Sequence, residues 1–556
     1  MLKKNSAAVL LAFGLFSFNF AQNFPQNPQN PQNQDNEDKD IENFMNEFEQ
    51  NSENEEKAQK RFNPEIQRTF IFSSPAYHLD LNPHTSSYSN EAQIINALQE
   101  GLFCYDPKTL DPVPAIASEY RISRDKKRWT FTIRDNAKTS DGSKITAQTV
   151  VDSWLHLQKT PDAPYSSLLD CIKGIKDYRE NKISEEEIGL KANGQKLTVI
   201  LNSPTAHLPR ILCHHAFSVF TGNLEVFSGA YVLKEQDKNQ LVLEKNKNYW
   251  DEQNVALEQV IIKISDDKKE NSWLFNTGRT DWITTSFDTN SLINKNAIKI
   301  SAVFGTTYLF FTCKNPVWNK AEFRNALLTA IPWDKLRSDN LIQASTLVYP
   351  LSGYPEVEGL TDYNEDEALE LMEEARKNSG IGQDEKLEIT FGIADNEYMK
   401  GLAAILKEAW DPLGVELVIF KISDEQYLSS IPYLNYDIFS YSWIGDFADP
   451  LAFLELFREG STLNHTKWTN EKFTEKLKLA DEETDGAMRY KILGQAEQIL
   501  LDDGMVMPIS HSISLHAINL NEIGGWYTNA LDIHPLKNIY FKETVYAVPD
   551  NVAIAK

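Results

Sequence analysis

Strand-like and helix-like patterns alternate along the C-terminal part of this chain, and this alternation limits the possible folds more than any other feature. Between Glu388 and Trp443, a β-branched and aromatic run is followed by an amphipathic segment and then by further strand-like runs. The amphipathic segment ends at Asp411-Pro412 and Gly414, residues that stop helices. A β-α-β series of this kind predicts an α/β fold.

The same alternation, without an internal repeat, extends over a globular part that we expect to begin near Arg68. Periodicity and end signals give the expected elements. Helices are predicted over 90–100, 146–159, 366–377, 399–410 and 451–457. Strands are predicted over 68–72, 197–201, 241–243, 388–391, 415–420 and 436–441.

Length and charge limit the class of protein. With 556 residues, of which 41% are hydrophobic, the chain is long enough for two or three packed domains. The formal net charge is −25. Nucleic acids and anionic membranes need clustered basic surface, so we expect neither as a partner.

The first residues have the pattern of a secretory signal peptide. Lys3 and Lys4 precede an apolar run over 7–20, which is too short for a comfortable membrane span. We expect residues 1–21 to be removed after Ala21; an uncleaved anchor is the alternative. No cysteine follows the run, so an attached lipid is not expected and the protein should be soluble in the periplasm.

Residues 22–66 have the composition of a disordered leader. A Pro-Gln-Asn repeat is followed by a run of acidic residues, and such segments cannot bury enough apolar surface to fold. A short amphipathic helix around Ile41 and Phe48 is the alternative. It would make the leader a binding segment for an envelope or host partner.

The four cysteines, Cys104, Cys171, Cys213 and Cys313, allow three full disulfide pairings in an oxidising compartment. Cys171 and Cys213 are the favoured pair, and buried free thiols are the alternative. Cys213-His214-His215, with His207 upstream, is a metal-like cluster. Adjacent histidines point in different directions on regular structure and no second ligand group has suitable spacing, so a structural role is favoured and no metal or cofactor is expected.

The segment 442–450 places Asp446 beside Trp443 and a glycine, and it ends at Asp449-Pro450. An acid at a strand end beside an aromatic side chain can hold a cationic group, such as a free amino terminus, in a partly dry cleft. The alternative is a surface loop whose aspartates are solvated or cap the next helix. On spacing alone, the alternative is favoured.

The order of this segment resembles a family. The pattern Trp-x-x-Asp-Phe-x-x-Pro-x-x-Phe-Leu over 443–454 is similar to one in the extracytoplasmic solute-binding proteins of oligopeptide ABC importers, the family 5 extracellular solute-binding proteins. Three further blocks resemble the same family in the same order, and together they span about 67–545. They lie over 98–151, 229–250 and 323–331.

The resemblance implies a two-lobed periplasmic-binding-protein fold with an additional inserted domain, hence three lobes with a hinge between them. The ligand would lie between lobes I and III. Lobe I would comprise 67–100, 222–304 and, with the C-terminal tail, 511–556; the inserted lobe II would be 101–221, and lobe III would be 305–510.

The resemblance also implies a function. The protein would be a monomeric, non-enzymatic substrate-binding component that binds peptides and delivers them to an ABC permease in the inner membrane. Alternatives are the same scaffold binding a nickel chelate, haem or sugar, and an interaction protein that uses the acidic leader. A secreted peptidase is third, because no nucleophile, metalloprotease or phosphate-loop motif is present in the sequence.

Site residues are carried over from the resemblance position by position. Asp446 would pair with the peptide α-ammonium group, and main chain at Ser87, Tyr88 and Ser89 would pair with the ligand as an added strand. The remaining cleft-lining positions are Trp443, Ile444, Gly445, Ser228, Tyr308 and His511.

The chain also departs from the family. Basic residues that can meet a peptide carboxylate are absent: Ile431-Pro432-Tyr433 and Ser440 stand in the matching positions. The segment between His215 and Gly229 is short, and Thr139 replaces a tryptophan. The resemblance therefore predicts an amino-terminal anchor and leaves recognition of the ligand's other end open.

Overall fold

A computed structural model describes residues 69–75, 79–423, 426–427, 431 and 435–542. The predicted signal peptide, the acidic leader and the C-terminal tail lie outside the described residues. The strands are β1 (Phe70–Ser74), β2 (Phe103–Tyr105), β3 (Pro112–Pro114), β4 (Ala117–Ile122), β5 (Arg128–Ile133), β6 (Leu190–Asn193), β7 (Lys196–Ile200), β8 (Tyr231–Gln236), β9 (Gln240–Lys245), β10 (Gln259–Ile264), β11 (Trp282–Thr284), β12 (Ile298–Phe311), β13 (Leu387–Ala394), β14 (Val415–Ile422), β15 (Ile438–Ile444), β16 (Val506–Ile518), β17 (Ile523–Gly524) and β18 (Tyr540–Phe541).

The α-helices follow the predicted periodicity. They are α1 (Ser89–Leu98), α2 (Ala147–Lys159), α3 (Ile175–Arg179), α4 (Leu208–Ile211), α5 (Lys268–Asn276), α6 (Ala321–Thr329), α7 (Trp333–Arg337), α8 (Glu365–Ser379), α9 (Glu397–Trp410), α10 (Leu451–Leu454), α11 (Glu471–Glu482) and α12 (Gly486–Asp502). Short 3₁₀ helices include Ser166–Leu169 and Glu455–Phe457. Of the helices in the described ranges, none combines the length and apolar composition needed to cross a bilayer.

Ten of the described strands form one sheet in the order β14-β13-β15-β12-β16-β11-β1-β10-β9-β8. The long strands β12 and β16 pair antiparallel at its centre, between the strands of lobe I on one side and those of lobe III on the other. Their register shifts between Ala302 and Thr306, which breaks the regular ladder where the chain passes from one lobe to the other. The ranges predicted for lobes I and III are therefore joined by two continuous strands.

The β-α-β unit predicted from the sequence is confirmed. β13 and β14 pair in parallel, and α9 connects them. The Asn396 side chain accepts the Met399 N–H at 2.9 Å and caps the start of α9. After the helix, Gly414 takes a left-handed conformation (φ 69°), which favours glycine.

Lobe II carries its own sheet, in the order β4-β5-β7-β6, with α2 against it. Thr146 caps α2 by accepting the Thr149 N–H, and Trp154 on this helix is fully buried. The buried apolar residues of lobe II join those of lobe III in one contiguous cluster, whereas most of those in lobe I form two separate clusters. The structure is thus a lobed α/β protein, as predicted.

The favoured Cys171–Cys213 disulfide is wrong: all four cysteines are free. The thiol of Cys213 contacts the Pro209 carbonyl oxygen at 3.3 Å, and that of Cys171 lies 4.0 Å from the Leu168 carbonyl oxygen. Burial raises the pKa of the Cys171 thiol to about 12. The cysteines are therefore free thiols, with Cys213 buried and the other three partly buried.

Candidate functional site

The loop that carries Asp446 follows β15 and leads into α10. At its entry, the Gly445 N–H donates to the Phe304 carbonyl oxygen at 2.8 Å. A Cβ atom at this position would lie 2.5 Å from the Phe304 ring. Close approach of two backbones therefore fixes where the loop leaves the sheet.

Asp449, the second acid of the loop, is compensated within the chain. Its carboxylate accepts from Arg489 at 2.5 and 3.0 Å and from the Leu451 N–H at 3.0 Å. Burial raises the pKa of Asp449, but the neighbouring Arg489 charge outweighs it and the pKa is lowered. Asp449 is therefore a charged partner in a buried ion pair and also accepts the first N–H of α10.

Asp446 is buried without such a cation. Its side chain is 8% exposed, and the nearest basic group is His214, with Nε2 3.6 Å from Oδ1. Its backbone carbonyl accepts the Tyr105 hydroxyl at 2.9 Å. Burial raises the pKa of Asp446 well above its usual range, and a hydrogen bond from Tyr165 only partly opposes this. Among the described residues, no group hydrogen-bonds to its Oδ2.

His214 faces Asp446 as a neutral ring that is too distant for a hydrogen bond. Its Nδ1 accepts the Ala216 N–H at 3.3 Å, which leaves the ring proton on Nε2, the nitrogen that faces Asp446. Burial lowers the pKa of His214 to about 3, so this side chain supplies no positive charge at neutral pH. The ring lies between Tyr165, at 4.2 Å, and His215, at 4.1 Å.

Trp443 and Ile444 lie on β15 next to the acid, opposite Thr306 and Gly305 of β12. The Trp443 indole N–H donates to the Ala452 carbonyl oxygen at 3.1 Å, which holds the ring over the start of α10. The side chain is half-buried. The structure therefore brings Trp443, Ile444, Gly445 and Asp446 together at the edge of lobe III.

Ser87, Tyr88 and Ser89 form the loop that enters α1. The N–H groups of Ser87 and Tyr88 lie 3.3 and 3.2 Å from a Glu91 carboxylate oxygen, and Ser89 begins the helix. Their role in main-chain pairing stays a prediction. The loop is next to the histidines of lobe II, because His215 Nε2 lies 3.5 Å from the Ser86 carbonyl oxygen.

Three further predicted residues lie deeper in the protein. Ser228 is 1% exposed and its hydroxyl bonds to Gln99 at 2.9 Å, at the junction of lobes I and II. Tyr308 is also 1% exposed and packs inside lobe III against Tyr441. His511 contacts the Thr306 hydroxyl at 3.0 Å. None of these three is beside Asp446 in the contacts of the described residues.

Sequence reasoning missed the partners of Asp446. Tyr105, Tyr165 and His214 all belong to lobe II, and they cover an acid that belongs to lobe III. His214 was noticed only as part of a metal-like cluster. The contact of buried His214 with a distant aspartate leaves no local signal, since the two segments meet only in the folded chain.

In the described part of the chain, the group with metal-ligand composition is His516, Asp532 and His534, whose ligand atoms all lie within 4.8 Å. Asp532 Oδ1 is 2.8 Å from His516 Nε2 and 3.3 Å from His534 Nε2. Trp282 donates to His516 Nδ1 at 3.2 Å, so the proton of neutral His516 lies on Nε2, the nitrogen that a metal would need. A hydrogen-bonded triad explains this cluster.

The comparison with protein families agrees with this architecture. The model for bacterial extracellular solute-binding proteins, family 5, matches residues 111–464. The chain belongs to this family. Family 5 proteins bind solutes and are not enzymes, so the expectation of a non-enzymatic protein agrees with its relatives.

Characterised relatives of this family 5 protein are named for peptides. The dipeptide-binding protein DppE of Bacillus subtilis is 24% identical over 77% of this chain and 83% of its own length. The periplasmic oligopeptide-binding protein OppA of Escherichia coli is 25% identical over 85% of this chain and 92% of its own.

Solved structures share the fold. The murein tripeptide-binding protein MppA of Escherichia coli superposes with a TM-score of 0.74 at 23% identity, covering 86% of this chain and 99% of that one. Haemophilus influenzae OppA, in complex with the peptide RPPGFSPFR, gives 0.74 at 20% identity, covering 86% and 100%. The unliganded open form of MppA gives 0.61 at 24% identity, covering 86% and 98%.

Proposed function

We propose that this protein is the extracytoplasmic substrate-binding component of an ABC importer and that it binds peptides through their free amino terminus. The observation that carries the proposal is the buried Asp446 carboxylate, whose Oδ2 has no hydrogen-bond partner among the described residues. A buried carboxylate without a cation is unfavourable, and a ligand ammonium group supplies the missing charge.

The contrast within the loop supports this assignment. Asp449 has Arg489 as its cation, whereas His214, beside Asp446, is neutral. The site therefore leaves the Asp446 carboxylate without a cation and its Oδ2 atom open to the ligand. Sugars and haem, alternatives for the same scaffold, carry no ammonium group, so the site favours peptides over them.

The wider setting belongs to the same proposal and is supported by relatives that are named as periplasmic peptide-binding proteins. The protein acts in the periplasm as a monomer and delivers the peptide to a permease in the inner membrane. The ligand lies between lobes I and III, Trp443 forms one wall, and main chain at 87–89 pairs with it. Lobe II covers the amino terminus through Tyr105, Tyr165 and His214.

Two measurements test the proposal. Mass spectrometry of ligand released from purified protein should show peptides of mixed sequence; a single non-peptide solute would contradict it. Calorimetry of a short free-amine peptide should then show affinity for the wild type falling about 10- to 100-fold in Asp446→Asn, as expected for loss of a charge-assisted hydrogen bond. Unchanged affinity in the variant would rule out Asp446 as the anchor.

A further inference from the structure

A compact set of hydrogen bonds joins lobe II to lobe III. The set, called here the interlobe clasp, consists of Pro164 and Ser167 of lobe II with Ser461 and Thr462 of lobe III. The Thr462 hydroxyl lies 2.6 Å from the Pro164 carbonyl oxygen and 2.9 Å from the Ser167 hydroxyl. The Thr462 N–H donates to the Ser167 oxygen at 3.1 Å.

One assignment of donors and acceptors accounts for all the hydroxyl contacts of the clasp. The Pro164 carbonyl can only accept, so it takes the Thr462 proton. Ser167 then donates to the Thr462 oxygen, and its own oxygen accepts from the Ser461 hydroxyl at 3.2 Å. The Ser167 N–H also points to the Thr462 oxygen, at 3.4 Å. Thr462 is therefore the centre of the clasp, because its hydroxyl oxygen takes part in three of these contacts.

The topology explains why these contacts can open. Lobe II is inserted into lobe I, and lobe III is joined to lobe I through β12 and β16, so in this division no chain segment connects lobes II and III directly. A rotation at the register shift between Ala302 and Thr306 would move lobe III away from lobe II. Such a movement breaks the clasp and, with it, the contacts from Tyr105 and His214 to Asp446.

We infer that Ser167 and Thr462 are positioning residues for ligand binding: they hold lobe II against lobe III and thereby keep the amine site at Asp446 covered. This inference rests on the proposed function. The four residues of the clasp are not among those assigned to the ligand, so the clasp is expected to act on every peptide alike. Its effect is expected on the dissociation rate, because dissociation requires the lobes to part.

The matched variants are Thr462→Val, which keeps the shape and removes the hydroxyl, and Thr462→Ser, which keeps the hydroxyl. Stopped-flow binding of a free-amine peptide should show roughly tenfold faster dissociation in Thr462→Val with an unchanged association rate. Thr462→Ser should dissociate like the wild type. Ser167→Ala combined with Thr462→Val should be little worse than Thr462→Val alone, because both remove the same contacts.

Small-angle X-ray scattering of the ligand-free variants separates this inference from the proposed function. Thr462→Val should shift the ligand-free protein towards a more extended form, and Thr462→Ser should not, whether or not peptides prove to be the ligand. If peptides bind, a wild-type dissociation rate in Thr462→Val would overturn the clasp. Equal losses in Thr462→Val and Thr462→Ser would also overturn it, since the effect would then not come from the hydroxyl.

Discussion

Two aspartates three positions apart behave in opposite ways because of what faces them. Asp449 forms a buried ion pair with Arg489. Asp446 lies beside a neutral histidine and a tyrosine, and no described residue hydrogen-bonds to its Oδ2. A carboxylate that is buried without a cation indicates a residue that serves binding rather than stability.

This difference predicts opposite effects of the two amide substitutions on stability. Because the folded pKa of Asp446 is raised above its ordinary 3.8, its favourable contribution is complete below that pH and is lost as pH rises through the raised value. Asp446→Asn should therefore be more stable than the ligand-free wild type at pH 7, and this gain should be absent near pH 4.

Urea unfolding of the ligand-free protein at the two pH values measures this. Asp449→Asn is the matched control: it leaves Arg489 buried without its partner and should lose about 3 kcal/mol at pH 7. A loss of stability at pH 7 in both variants would show that Asp446 is compensated by the chain itself.

Linked protonation gives a second prediction at the same residue. A peptide ammonium favours ionised Asp446, so binding should release a proton wherever the ligand-free carboxyl is protonated, and affinity should rise with pH below neutrality. Above about pH 8 the peptide amine itself loses its proton and affinity should fall. Calorimetry in buffers of different ionisation enthalpy measures the released proton. Asp446→Asn should release none; an equal release from that variant would assign the proton to another group.

At the scale of elements, local sequence patterns were sufficient to predict the β-α-β unit of β13, α9 and β14. The strand and helix signals around 388–391 and 399–410 correspond to β13 and α9, and each observed element extends the prediction by only a few residues. The run predicted as a helix over 451–457 is α10 followed by a 3₁₀ turn. Strand and helix propensities act over a few residues, so the sequence contains this information directly.

Gly445, directly after β15, is restricted to glycine by close packing against Phe304. Gly445→Ala places a methyl group 2.5 Å from the Phe304 ring, so the loop or β12 must shift. We expect about 1–3 kcal/mol loss of stability and a weaker peptide affinity, because Asp446 is the next residue. Gly401→Ala in α9 is the control: nothing lies within 4 Å of its added methyl group, and it should stabilise the protein by about 0.5–1 kcal/mol. Thermal unfolding and calorimetry check both variants. An unaffected Gly445→Ala would contradict the close packing.

At the scale of the whole molecule, the α/β class was predictable from alternation and the three-lobed arrangement from the family resemblance. The order of strands in the ten-stranded sheet was not, because β1 pairs with β10 and β11, which are distant in the chain. The contact of His214 with Asp446 was also beyond prediction, since it depends on how lobe II is placed against lobe III. Pairings that depend on lobe placement leave no periodic signal in the sequence.

The central claim is that the cleft recognises a free amino terminus at Asp446. Calorimetric titration of the wild type with one peptide, in its free-amine form and in its N-acetylated form, tests this directly. Acetylation should weaken binding about 10- to 100-fold in the wild type and should make little difference in Asp446→Asn. Equal affinities of the two forms for the wild type would contradict the account.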